Sequence, residues 1–197
     1  MIGKIKEVSL CFSCYKSDKF YDSWRGKKIS GGGVMLSQAL HRIDRLIYFF
    51  GDPEFVEGFM RTTRPGIEVE DYAECRLYFG DDVIAEIKAD NSSGNPDTIS
   101  MIKIVGDKGL IVLCDDRVLQ WDVGCMPCPQ ASDFSRIPVK IRPLYYGPCH
   151  ELIIDDFVDA VLNDRLPIVG PHDAEITMRT IFGFYQAARE QKRVFLK

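Results

Sequence analysis

A histidine in the first quarter of the chain is the residue best suited to acid–base chemistry. His41 follows Ser37 by four residues and precedes Asp44 by three, so the three side chains would line one face of a helix. An imidazole is present in both protonation states near neutral pH and can therefore take the proton from a hydroxyl group. A polar row of this kind is equally typical of a solvated helix face. The spacing makes His41 a candidate catalytic residue and leaves that alternative open.

A helix from about Val34 to Phe50 is the predicted element that positions these side chains. Its apolar residues recur at about 100° per residue and form a broad face opposite the polar row. Gly51 and Pro53 are typical stop signals after such a helix. The apolar face consists of Leu36, Ala39, Leu40, Ile43, Ile47 and Phe50.

Three consecutive glycines come just before this helix. Glycine lets the backbone take conformations closed to other residues and lets another group approach closely. The run is neither a GxGxxG pattern nor a P-loop, because no Gly-Lys-Ser/Thr follows it. Close approach by backbone or by a ligand is therefore expected at Gly31, Gly32 and Gly33.

A second candidate cluster lies in the polar and aromatic stretch from 16 to 30, which we predict to be a loop. Tyr21, Trp24 and Arg25 are expected to be exposed there. Trp and Arg together on a loop often mark a contact with a ligand or partner. In the alternative, Trp24 covers the edge of the domain and Arg25 is solvated.

An ordered set of motifs runs along the chain. It starts with Tyr21-x-x-Trp24-Arg25-Gly26, Gly31-Gly32-Gly33-Val34 and Gln38-Ala39-x-His41-x-x-Asp44, and it continues through Asn95–Ile99, Val105–Ile111, His150 with Asp156-Phe157, and Arg165-x-Pro167. This order resembles the second domain of the Gfo/Idh/MocA oxidoreductases, two-domain enzymes that use NAD or NADP on sugars and related polyols. The first of the motifs is most similar to the branch that acts on nucleotide-linked amino sugars and uronates.

The resemblance implies a role for each candidate residue. His41 would be the catalytic base, acting together with a Lys of the nucleotide-binding domain. Gly31, Gly32 and Gly33 are the candidate cofactor-binding residues. Many members carry an Asp where this chain has Ser37, and serine cannot offset an imidazolium charge. Asp44 and His150 could instead be a surface carboxylate and a helix cap. The implied substrate contacts are Tyr21, Trp24, Arg25, Ser37, Asp44 and His150.

Neither a GxGxxG pattern nor the family's Glu-Lys-Pro motif occurs in the sequence. We therefore expect residues 1–197 to be a single C-terminal substrate-binding and oligomerisation domain, with the nucleotide-binding domain missing. NAD or NADP would be bound only in the full-length enzyme, and this chain alone is expected to be inactive. The alternative is a stand-alone sugar-binding or scaffolding domain without catalysis.

Alternating patterns predict an α+β domain with a large, mostly antiparallel mixed sheet and helices packed on one face. A late helix pair is expected at 150–163 and 173–190. The resemblance implies dimers or tetramers that meet through the outward face of the sheet. The apolar residues assigned to that face are Tyr72, Tyr78, Ile84, Ile102 and Ile104. Strands are predicted at 5–15, 55–63, 69–79, 83–89, 98–105, 109–114, 117–122 and 193–196.

Composition narrows the class of protein. Among 197 residues, 46% are hydrophobic and 27% charged, which is ordinary for a globular protein. The net charge of -4 argues against nucleic acid, and no apolar run is long enough for a membrane span. Seven cysteines and the lack of a secretory signal favour the cytoplasm. No metal site is expected, although Cys125 and Cys128 could hold a metal or form a redox pair.

The stretch from 123 to 148 is rich in proline and is predicted to be irregular, with a short strand at 139–141 left open. A long irregular segment in a compact domain is often functional. In the family that it resembles, this stretch meets the substrate or a neighbouring subunit, and the sequence leaves both possibilities open.

Overall fold

The computed structural model describes residues 2–94, 98–115, 117–129 and 150–196. These residues divide into two compact units. One unit is Met1–Pro127 with Ile176–Lys197, and the other is Cys128–Glu175. Residues 95–97 of the Asn95–Ile99 motif and most of the irregular stretch, including the strand considered at 139–141, lie outside the described residues.

Eight strands of the described residues form one sheet in the first unit. The strands are β1 Ile5–Ser13, β2 Phe55–Arg61, β3 Tyr72–Tyr78, β4 Ile84–Asp90, β5 Ile99–Gly106, β6 Gly109–Cys114, β7 Arg117–Asp122 and β8 Val194–Phe195. Their order across the sheet is β7-β6-β5-β1-β4-β3-β2-β8. β1 and β4 pair in parallel, whereas the other described neighbours pair antiparallel. The predicted mixed, mostly antiparallel sheet is confirmed.

The helix predicted from Val34 to Phe50 is present, but it contains two types of helical turn. Its first turn, Met35–Ala39, is a π-helix, and an α-helix continues from there. It ends at Gly51, which has a φ of 80° and donates its N–H to the Ile47 carbonyl oxygen at 2.8 Å. The α-helices are α1 Asp18–Tyr21, α2 Leu40–Phe50, α3 His150–Leu162 and α4 Pro171–Glu190.

The core of the first unit lies between one face of the sheet and the helices α2 and α4. Leu10 and Phe12 of β1 are buried there with Ile43 of α2 and Phe184 of α4. Burying a side chain of this size stabilises a fold by about 1.5–3 kcal/mol. The predicted placement of helices on one face therefore holds for these two helices.

The assignment of Ile102 and Ile104 to the outward face was wrong. Both isoleucines are buried, because they pair with Leu10 and Val8 of β1 on the core side. A one-residue error in reading a strand exchanges its two faces, since side chains alternate with a period of two. The outward face carries their neighbour Met101, which is about one-third exposed.

Paired charges and stacked aromatic rings cover the outward face of β2, β3 and β4. Arg76 lies 3.0 Å from Glu86 on the neighbouring strand. The Tyr72 ring is buried beneath the guanidinium of Arg61, which lies 4.0 Å from the ring centroid. Exposed apolar side chains remain among them, including Phe59 and Ile84.

The second unit contains α3 and the turn that follows it. Arg165 contacts two carboxylates of α3, Asp156 at 2.7 Å and Asp159 at 2.6 Å. Asp156 also accepts the Ile168 N–H at 2.7 Å. These contacts fold the chain after α3 back onto that helix. Of the helices that the structure describes in either unit, none is long and apolar enough to cross a membrane.

Candidate functional site

The helix with His41 presents its polar row to the surface, as predicted. His41 and Asp44 are exposed, and Ser37 is half-buried. The Ser37 hydroxyl donates a hydrogen bond to the Gly33 carbonyl oxygen, one turn back along the chain. Ser37 lies inside the π-helical turn, and such turns are frequent at functional sites. Because His41 is exposed, its imidazole is accessible on the outer surface of the helix.

Asp44 is engaged by another helix of the same unit. The buried Thr177 of α4 donates its hydroxyl to Asp44 Oδ1 at 2.6 Å. This contact fixes α4 against α2 and gives the carboxylate a structural use. Direct substrate contact by Asp44 stays a prediction.

Two arginines beside the polar row hold α2 to the end of the sheet. The Arg42 guanidinium stacks at 4.6 Å from the centroid of the Phe12 ring and donates to Ser100 Oγ at 3.1 Å. Arg45 donates to the Asp115 carbonyl oxygen in the β6–β7 turn. These contacts attach the outer side of α2 to three different strands or turns.

The glycines before the helix are in close contact with the chain itself. Gly31 has a φ of 74° and ends the short 3₁₀ turn before it. A Cβ on Gly32 would lie 2.1 Å from the Arg25 carbonyl oxygen, and one on Gly33 would lie 2.3 Å from both carboxylate oxygens of Glu70. Gly33 also has a φ of 105°. The fold of this chain by itself accounts for glycine at each of the three positions. Cofactor binding by Gly31, Gly32 and Gly33 stays a prediction.

Glu70 is a buried acid at this site that the sequence analysis did not single out. Its carboxylate accepts the Met35 N–H at 3.1 Å and the Tyr185 hydroxyl at 2.8 Å. Its own carbonyl oxygen accepts the Val34 N–H at 3.0 Å. Burial raises the pKa of the Glu70 carboxyl above its usual value, and these donors oppose part of that rise.

The alternating pattern places Glu70 on the polar side of a strand from 69 to 79. The strand begins only at Tyr72, so alternation does not apply to the residues before it. The available signal was the pair of adjacent acids, Glu70 and Asp71, just before an otherwise regular strand pattern. Both acids are buried, and Asp71 accepts the backbone N–H groups of Thr63 and Arg64.

The predicted loop with the aromatic cluster contains α1 and two 3₁₀ turns, and its three candidates differ in exposure. Tyr21 is buried, contrary to expectation, whereas Trp24 is half exposed. Burial raises the pKa of the Tyr21 hydroxyl. The Arg25 guanidinium stacks between two rings, 4.7 Å from the Trp24 centroid and 4.9 Å from that of Phe20. Trp24 and Arg25 thus form an accessible pair, whereas the Tyr21 ring lies beside Phe20, with a centroid distance of 5.1 Å.

One short segment, residues 68–71, holds both motifs in place. Glu68 contacts Lys27 Nζ at 3.1 Å, accepts the Lys28 N–H at 3.2 Å, and donates its own N–H to the Gly26 carbonyl oxygen. Two residues later, Glu70 holds the first turn of the helix with His41. The Trp24 motif and the His41 motif are separate in the sequence, but both are hydrogen-bonded to the segment 68–71.

The remaining candidates lie elsewhere in the chain. His150 begins α3 in the second unit, and its contact with substrate stays a prediction. Cys125 is exposed and Cys128 half-buried, and both are free thiols. Across the described ranges, no group of three or more His, Cys, Asp or Glu side chains could hold a metal ion.

A protein-family model decides the family. The model of the GFO/IDH/MocA C-terminal domain matches residues 1–112, which is more than half of the chain. The chain belongs to the Gfo/Idh/MocA family. A comparison with curated proteins finds no match.

Solved structures of Gfo/Idh/MocA proteins share the fold. The WlbA dehydrogenase from Bordetella pertussis, solved with NADH and UDP-GlcNAcA, superposes with a TM-score of 0.82 at 22% identity, covering 100% of this chain and 56% of that one. The aldose-aldose oxidoreductase from Caulobacter crescentus, solved with glycerol, gives 0.73 at 22% identity, with 98% and 56% covered. Levoglucosan dehydrogenase, in complex with NADH, gives 0.74 at 19% identity, with 100% and 59% covered. The chain thus spans little more than half the length of these proteins.

Proposed function

We propose that this chain is the C-terminal domain of an NAD(P)-dependent dehydrogenase that acts on a sugar or nucleotide sugar. In this proposal, residues 1–197 form one domain that binds the substrate, supplies the catalytic histidine and carries the oligomer interface. The observation that supports it best is the exposed His41 on a helix whose entry shares an attachment with the Trp24–Arg25 pair. Family membership supports the reaction class.

His41 is the proposed proton acceptor for the sugar hydroxyl that is oxidised. An imidazole on an accessible helix face can reach a bound substrate and has the right intrinsic pKa for the transfer near neutral pH. Ser37 lies one turn before His41 on the same face of the helix. The Ser37 hydroxyl donates to the Gly33 carbonyl oxygen. Serine is uncharged, so it does not supply the negative charge of the Asp that many family members carry at this position.

The Trp24–Arg25 pair is the proposed contact for the rest of the substrate. A half-exposed indole offers a flat surface for a sugar or base ring. The adjacent guanidinium offers paired donors for a phosphate or carboxylate group. Both groups occur in nucleotide-linked uronates. We therefore assign substrate selection to this pair and proton transfer to His41.

In this proposal the glycine run does not hold the dinucleotide itself. The space beside Gly32 is filled by the Arg25 carbonyl oxygen, and the space beside Gly33 by the carboxylate of Glu70. A carboxylate there would also repel a pyrophosphate. We therefore propose that NAD(P) is held by another domain of the full-length enzyme, and that residues 1–197 alone do not oxidise sugar nucleotides.

Replacing His41 by Asn in the full-length enzyme tests the assignment. Turnover is expected to fall by about a hundredfold or more, the usual range for losing a general base, with little change in KM. Steady-state kinetics over a panel of sugar nucleotides measures both constants. His172→Asn is the matched control, because that histidine contacts Glu175 on the surface of α4. Equal turnover in the His41 variant and the wild type would remove His41 from the mechanism.

A further inference from the structure

The carboxylate of Glu70 connects three separate parts of the first unit. It lies just before β3, it accepts the N–H of Met35 at the start of the π-helical turn, and it accepts the hydroxyl of Tyr185 on α4. Only 6% of the residue is exposed. A buried carboxylate with good donors holds them strongly, because leaving either group without a partner would be costly in the interior.

The Met35 amide is the point at which this connection reaches the helix. Met35 itself is buried, and it opens the wider π-helical turn that leads into α2. His41 follows six residues later, roughly 9 Å along a helix at 1.5 Å per residue. A change in the direction of the first helical turn would therefore move the His41 imidazole.

Gly33 adds a second constraint on the same carboxylate. Its missing side chain leaves the room in which both oxygens of Glu70 lie against the backbone. The Val34 N–H also donates to the Glu70 carbonyl oxygen. The main chain and the side chain of Glu70 therefore accept hydrogen bonds from two successive amides at the start of the helix, those of Val34 and Met35. This double contact sets where the helix starts.

We propose that Glu70 is a positioning residue for His41: its carboxylate, shared between the Met35 N–H and the Tyr185 hydroxyl, sets the direction of the helix that presents the imidazole. The inference rests on the proposed function in one respect, namely that His41 is the reacting group. Glu70 itself touches no substrate in this scheme.

Variants of the 197-residue chain, followed by NMR without any sugar or nucleotide, test the proposal. Glu70→Leu removes both hydrogen bonds and keeps an apolar side chain of similar size. We expect hydrogen exchange at the Met35 amide to become about tenfold faster, as for one lost hydrogen bond. The ring resonances of His41 are expected to shift. Glu70→Gln retains an oxygen that can accept both bonds, so it should restore both signals to near wild type.

Two further variants keep the test decisive. Glu68→Leu is the control, since Glu68 lies in the same segment but its side chain is about half exposed, and among the described residues its carboxylate contacts Lys27 and Lys28, next to the Trp24 motif. It should leave the Met35 and His41 signals unchanged. If Glu70→Leu does not fold, Tyr185→Phe removes one of the two donors and should shift the His41 resonances.

Unchanged His41 resonances in Glu70→Leu, or in Tyr185→Phe where Glu70→Leu does not fold, would overturn the proposal and leave Glu70 as a stabilising residue only. Failure of Glu70→Gln to restore the signals would also overturn it, because the acceptor oxygens would then not be the cause. Since no substrate is present, either result is independent of the kinetic test of His41.

Discussion

At the scale of single residues, the site depends on how closely Gly33 and Glu70 approach each other. Glycine is required at position 33 for two reasons, its φ of 105° and the carboxylate that fills the space where a Cβ would be. Glu70 is buried despite its charge.

Gly33→Ala is expected to lower the free energy of unfolding by about 2–4 kcal/mol. The methyl group would meet both oxygens of Glu70, and alanine is strained at positive φ. Denaturant unfolding followed by circular dichroism measures the loss. Gly80→Ala is the control, because a Cβ on Gly80 would have no atom within 4 Å, and it should change stability by less than about 1 kcal/mol. Equal losses in the two variants would contradict the expected clash.

Glu70 should also give the protein a distinct pH dependence. Its folded pKa is raised by burial, so its contribution to stability is complete below the unfolded pKa and is lost as pH rises through the folded pKa. Glu70→Gln lacks this loss. The free energy of unfolding of the wild type, measured relative to that of Glu70→Gln, should therefore fall as pH rises from about 4.3, the usual carboxyl pKa, towards the raised pKa of the folded state. A difference that grows with pH would mean that the folded pKa is lowered instead.

At the scale of elements, α2 is held from three directions. Apolar packing fixes its inner face on the sheet, Arg42 and Arg45 fix its side, and α4 contacts it through Thr177 and Asp44. Tyr185 of α4 meets the entry of the same helix through Glu70. The two helices should therefore behave as one layer when the protein unfolds.

The Thr177–Asp44 hydrogen bond is the part of that layer that can be isolated. Thr177→Val is expected to cost about 1–2 kcal/mol, because the bond to a carboxylate is lost while the volume is kept. In the background of Asp44→Ala, which has no acceptor for the Thr177 hydroxyl, the loss should be smaller, and a double-mutant cycle from urea unfolding gives the coupling. The same loss in both backgrounds would mean that the two residues do not interact.

At the scale of the whole molecule, the sheet has one face covered by helices and one that carries paired charges with apolar side chains between them. Phe59, Ile84 and Met101 are exposed on the second face. Exposed apolar groups on a broad face are typical of contact surfaces between proteins. The oligomer expected from the family resemblance would use this face.

Sedimentation of the chain is therefore expected to give a mass of at least twice 22.4 kDa. Met101→Glu should shift the protein towards the monomer, because a charge would be buried at the contact. Tyr48→Glu adds the same charge on the exposed side of α2 and should leave the mass unchanged. A monomer in the wild type would rule out this interface for the isolated chain.

The strands, the long helices and the family could be predicted from the sequence, whereas α1 and the two 3₁₀ turns in the predicted loop could not. Alternation located the strands and the helical period located α2, because both depend on backbone geometry within a few residues. Which distant residues meet became visible only in the folded chain. The parallel pairing of β1 with β4, the burial of Ile102 and Ile104, and the contact of Glu70 with Met35 and Tyr185 join residues far apart in the chain. Local periodicity carries no information on such contacts, and so His41 could be proposed from the sequence while the residue that positions it could not.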